Sequence, residues 1–100
     1  DEVHMKLDDA AIDTRLAERP GWIRTADADP VLQRAFACGD FLRSMVFVNA
    51  IAEAAEAVNH HPDILVQYAT VTISLSTHDA GGITDKDFQL AATIDGLHSN

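Results

Sequence analysis

The sequence predicts an α+β fold: a four-stranded antiparallel sheet with three helices on one face, in the order α-β-β-α-β-β-α. Three observations lead there. A capped helical segment opens the chain, a long apolar helical segment occupies its middle, and strict alternation of apolar and polar residues runs from Val71 to Ser76. No alternating strand-helix-strand series appears that would call for a parallel sheet.

Leu7-Asp8-Asp9-Ala10-Ala11-Ile12 begins the first helix. Asp8 is placed to cap its free amides, and Leu7 to pack on Ile12 as a hydrophobic staple. Pro20-Gly21 is expected to end it. Trp22 to Thr25 and Val31 to Cys38 read as two strands of a hairpin around Asp27-Ala28-Asp29-Pro30, which has the composition of a turn.

Gly39-Asp40 introduces the longest helix, from about Phe41 to Val58, with Asp40 as its cap. Apolar side chains cover most of its circumference, and only Asn49, Glu53 and Glu56 form a polar stripe. Such a helix is expected to pack on the sheet and on a second subunit.

Val71, Ile73 and Leu75 share one face of a strand whose other face carries Thr72, Ser74 and Ser76. Ile64 to Tyr68 is also strand-like. Tyr68-Ala69-Thr70 offers no Asn-Gly or Asp-Gly signal, so the break between these strands is inferred from length. Gly81-Gly82 supplies a turn, and Thr84-Asp85-Lys86-Asp87 starts the last helix, which presents Phe88, Leu90, Ala91, Ile94 and Leu97.

One hundred residues make a single domain, residues 1–100 with a core from about 8 to 97, of ordinary globular composition at 47% hydrophobic and 23% charged. A formal charge of −9 repels phosphate backbones and anionic surfaces, which argues against direct nucleic-acid or membrane partners. No apolar run reaches the roughly 20 residues needed to cross a bilayer, and Asp-Glu-Val-His does not read as a signal peptide. The one cysteine, Cys38, cannot form an internal disulfide and is read as a small buried residue, so a cytoplasmic location is expected.

The chemistry concentrates in the histidines. His60 and His61 stand at the end of the long helix, where Pro62 disfavours helical geometry at His61 and the helix dipole favours imidazoles. Counting on from Leu75 places His78 on the polar face of its strand, at the strand end. With Glu56 one helical turn before His60, these groups make a candidate cleft for proton transfer near neutral pH. A metal centre is the weaker reading, because adjacent histidines in extended chain point to opposite sides and no HExxH or cysteine spacing is present. Thr84-x-x-Asp87 has the form of a capping box, which alone accounts for Asp87. His4 and His98 fall in termini expected to fray.

The spacing Glu56-x3-His60-His61-Pro62-x5-Tyr68-x9-His78-x8-Asp87 resembles the signature of the pterin-4a-carbinolamine dehydratases. Pro20-Gly21-Trp22, Asp40-Phe41, the run from Leu75 to Gly82, Leu90-Ala91 and Ile94-Asp95 agree with it, over about residues 8 to 97. Phe36-Ala37-Cys38 departs from the family's Phe-x-Phe and implies a smaller core or a different subunit contact there.

The resemblance implies dehydration of a 4a-hydroxytetrahydropterin to quinonoid dihydropterin, within tetrahydrobiopterin recycling, without metal or organic cofactor. It assigns His60 and His78 to acid-base work and His61 to holding the pterin. Glu56, Asp87, Thr77 and Asp79 would orient the imidazoles or bind the polar pterin edge. The implied partners are the pterin and further copies of the chain, as homodimer or homotetramer. The rival reading is a non-catalytic interaction protein, a transcriptional coactivator that uses the oligomer surface.

Overall fold

The computed structural model describes residues 5–99. His4 therefore lies outside the described residues. The elements are α1 (Asp9–Leu16), β1 (Ile23–Arg24), β2 (Leu32–Ala37), α2 (Phe41–Val58), β3 (Asp63–Gln67), β4 (Thr70–Leu75) and α3 (Asp85–Ser99). The strands form one antiparallel sheet in the order β1-β2-β4-β3, so the expected order α-β-β-α-β-β-α and the α+β class hold.

The alternation read from the sequence decides which face of the sheet is covered. Val71, Ile73 and Leu75 of β4 meet Leu32 and Phe36 of β2 beneath Ile51 and Ala55 of α2 and Ala91 and Ile94 of α3, all buried. Each of these side chains except the two alanines contributes about 1.5–3 kcal/mol by leaving water. The opposite face of α2 stays uncovered: Leu42 is 76% and Val46 69% exposed.

Both predicted N-caps form. Asp8 Oδ1 accepts from the amide of Ala11 and Asp40 Oδ1 from that of Arg43, each at 2.8 Å. The end of α1 was misplaced, since the helix stops at Leu16, with Ala17 as its C-cap, and turns occupy the residues up to Gly21. A glycine is required at the close of these turns. Gly21 has φ +95°, and a Cβ there would stand 2.8 Å from Nε of Arg34.

That arginine is the inward-facing exception on β2. Its guanidinium lies 4.5 Å over the Phe36 ring and bonds Asp95 Oδ1 at 2.8 Å. Trp22 Nε1 donates to the same oxygen at 2.8 Å, and Arg19 reaches Oδ2 at 3.2 Å. Asp95 thus ties α3 to the β1 end of the sheet, which gives physical content to the distant pair Trp22 and Asp95.

The turn between β3 and β4 has two residues, Tyr68 and Ala69, closed by the pairing of Gln67 with Thr70. Tyr68 takes φ +53°, which costs a residue with a Cβ about 1–2 kcal/mol. Tertiary bonds offset that cost. The buried Ser44 hydroxyl of α2 donates to the Tyr68 carbonyl at 2.7 Å, and the Cys38 amide to that of Ala69 at 2.7 Å. Such anchoring explains why no turn motif announces this hairpin.

His98 was misread as part of a frayed terminus. It belongs to α3, lies 2.9 Å from the Ala37 carbonyl through Nε2, and packs 5.0 Å from the Phe36 ring and 5.4 Å from that of Phe47. An imidazole therefore joins the aromatic cluster close to Cys38, beside a hollow of about 410 Å³ that Cys38 and His98 both line.

Candidate active site

Helix α2 ends through its backbone. Asn59 adopts the left-handed conformation (φ +51°), its amide donates to the Glu56 carbonyl at 3.2 Å, and the His60 amide returns to the Ala55 carbonyl at 3.1 Å. This is a Schellman closure with Asn in the usual glycine position. The sequence reading credited the stop to Pro62 and missed Asn59, although an Asn directly after a helical segment is a known stop signal. Asn59→Val is expected to cost about 1–2 kcal/mol, and Asn59→Gly to be tolerated, in urea unfolding.

The reversal at Asn59 sends the two neighbouring imidazoles to different surroundings. His60 is 8% exposed, with Nε2 2.6 Å from Oδ1 of Asp87. His61 is exposed on the surface, with Nε2 3.2 Å from Oε1 of Glu56. The expected opposition of adjacent histidines is what the coordinates show.

Asp87 is fully buried, so each of its oxygens needs a donor. Oδ2 accepts the Thr84 amide at 2.9 Å, which completes the capping box of α3, and the Thr77 hydroxyl at 2.9 Å. A carboxylate held this way only accepts, so Nε2 of His60 donates and its ring is fixed in one orientation. Among the described residues Nδ1 of His60 makes no hydrogen bond, which leaves it as the nitrogen open to a ligand.

His78 required a correction. Strand β4 stops at Leu75, and His78–Ala80 form a single 3-10 turn, so His78 is not on the strand's polar face. The amide of Thr77 donates to the Gly82 carbonyl at 2.9 Å, and that of Gly82 to the Thr77 carbonyl at 3.3 Å, so the turn is closed at its base. Thr77 points inward in phase with Val71, Ile73 and Leu75, while His78 and Asp79 are exposed. The alternation that gave the strand continued only to Thr77.

Two hollows border these groups. One of about 480 Å³ is lined by Ser76, Thr77 and His78, with Asp63, Arg24 and Asp29 farther along. The other, about 240 Å³, lies between α2 and α3 against His60, Lys86 and Gln89. Hydrogen bonds thus bring His60, Asp87 and Thr77 together directly, and His78 follows Thr77 in the chain. His61 and Glu56 form a separate surface pair, and Asp79 stands beside His78. Among the described residues no three side chains of His, Cys, Asp or Glu gather as metal ligands.

The family model described as pterin 4 alpha carbinolamine dehydratase matches residues 5–97. The chain belongs to that family. A Picosynechococcus protein provisionally named pterin-4-alpha-carbinolamine dehydratase is 46% identical over 92% of this chain and 97% of its own. A Mycobacteroides abscessus protein of the same provisional name is 52% identical over 89% of this chain and 92% of its own.

Among solved structures, a transcriptional coactivator/pterin dehydratase from Brucella melitensis superposes with a TM-score of 0.88 at 27% identity, covering 93% of this chain and 98% of that one. A pterin dehydratase-like protein identified as a RuBisCO assembly factor in the alpha-carboxysome gives 0.67 at 26% identity, over 80% of this chain and 92% of that one. These two structural relatives are thus described by roles other than catalysis as well as by the dehydratase name. Among the described residues of this member, no helix is long and apolar enough to cross a membrane.

Proposed function

We propose that this protein dehydrates 4a-hydroxytetrahydropterins, 4a-hydroxytetrahydrobiopterin among them, in the cytoplasmic recycling of the tetrahydropterin cofactor. The observation that carries the reading is the buried Asp87, which clamps His60 and Thr77 while His78 stands free at the rim of a 480 Å³ hollow. One imidazole is held and the other is exposed.

The reaction breaks the C4a–O bond and forms a C4a–N5 double bond. A proton must reach the departing hydroxyl, which leaves as water, and the N5 proton must be taken up. In this reading His78 and His60 perform the two transfers, and the one handled by His60 passes through Nδ1, because Nε2 is committed to Asp87. His61, steadied by Glu56, holds the pterin, and Asp79 contacts its polar edge. The chain supplies all of these groups itself, so no cofactor is needed.

Dialysed, purified protein is expected to accelerate dehydration of a synthetic carbinolamine by at least about a hundredfold over the spontaneous rate, followed by absorbance in a stopped-flow instrument. A rate equal to the spontaneous one defeats the proposal.

The uncovered apolar face of α2 supports a homodimer or homotetramer and also favours a second reading, an interaction protein related in role to the coactivator from Brucella melitensis. A cleanly folded protein without turnover would move weight to that reading.

A further inference from the structure

The structure assigns Thr84 as a positioning residue that couples the His78 turn to the Asp87–His60 pair. The assignment rests on the dehydratase reading for its catalytic consequence and on the hydrogen-bond arrangement alone for the coupling.

Thr84 is fully buried, one residue before α3, and its hydroxyl lies 2.7 Å from that of Thr77. The directions of these bonds follow from counting protons. Thr77 has one hydroxyl proton, and Asp87 Oδ2, an acceptor at 2.9 Å, takes it. Thr84 must then donate to Thr77, while its own oxygen accepts the Lys86 amide at 3.2 Å. Every proton in the chain Thr84 to Thr77 to Asp87 is committed in one direction.

Thr77 is also the base of the turn that carries His78. Its amide and carbonyl close the bridge to Gly82, and its carbonyl receives the Ala80 amide at 3.1 Å. Among the described residues, the only side-chain hydrogen bonds recorded between residues 77–82 and the rest of the molecule run through the Thr77 hydroxyl, to Thr84 and to Asp87. The backbone amide of Thr84 separately holds Asp87, and through it His60. Thr84 therefore reaches the His78 turn through its hydroxyl, which also caps α3 at the Lys86 amide, and reaches His60 through its main chain by way of Asp87.

That division makes the inference testable, because Thr84→Val keeps the shape and the amide while deleting the hydroxyl. Amide exchange of residues 77–82 is expected to quicken about tenfold, and the His78 ring resonances to shift, while those of His60 stay in place. Turnover should fall about fivefold to tenfold in kcat with a smaller change in KM. Thr84→Ser should restore both, since it keeps the hydroxyl and loses only a methyl group.

Unchanged exchange at 77–82 in a folded Thr84→Val protein overturns the assignment. So does a Thr84→Ser protein as impaired as Thr84→Val, which would place the effect in packing. If Thr84→Val does not fold, the exchange and kcat of Thr84→Ser beside those of Thr84→Ala decide by the same comparison. Should wild type lack dehydratase activity, the functional proposal falls, while exchange and ring resonances still decide the coupling.

Discussion

Asp87→Ala is expected to lower the unfolding free energy by about 3–5 kcal/mol, since each buried donor left without its acceptor costs about 1–3 kcal/mol. The carboxylate is fully buried and satisfies the His60 ring, the Thr77 hydroxyl and the Thr84 amide at once. Its loss leaves three buried donors without their acceptor and removes the Asp87 half of the α3 capping box. For a domain of about 100 residues, 3 kcal/mol corresponds to a fall in Tm of roughly 12 °C or more. Asp87→Asn should fall between, since an amide keeps one acceptor but turns a second donor toward His60 or the threonines. Thermal unfolding followed by circular dichroism checks both, and an Asp87→Ala protein within 1 kcal/mol of wild type would mean that the buried donors find other partners.

His78→Ala is expected to cut the dehydration rate by about 10²–10⁴ while leaving stability nearly unchanged. The side chain is exposed, and among the described residues it takes part in no hydrogen bond, so its removal opens no cavity and orphans no donor. The contrast with Asp87 is the point: one substitution removes chemistry from a standing fold, and the other removes the support. Full activity in a folded His78→Ala protein would sink the proposed acid-base role, and steady-state rates with matched circular dichroism spectra are sufficient to tell.

The sequence disclosed most where a single local rule governs. Asp8 and Asp40 cap their helices because a carboxylate before a helical run finds free amides whatever surrounds it. Val71, Ile73 and Leu75 alternate because one face of β4 is covered. Where tertiary contacts set the structure, local rules misled. Tyr68 turns the chain because Ser44, distant in sequence, holds its carbonyl, and His98 is ordered because Phe36 and Phe47 receive its ring.

The candidate site divides in the same way. The resemblance picked out the residues, and Thr84-x-x-Asp87 announced the cap. The resemblance had Asp87 orienting an imidazole or binding the pterin edge, but nothing in one dimension said which imidazole, since the bond to His60 joins positions 27 apart. Nor did the alternation reveal that it lapses after Thr77, because the bridge to Gly82 that bends the chain is closed by backbone groups, which carry no residue signature.

The Schellman closure makes chain length at this corner a functional quantity. The phase of α2 decides where Ala55 presents its carbonyl, and one left-handed residue decides that the imidazole after it faces inward and the next faces water. Adding or removing a single residue between Val58 and Pro62 would exchange the surroundings of the two rings without altering their identity. Insertions of the kind that exposed loops away from a site absorb are closed to this corner, where the site depends on counting as much as on composition.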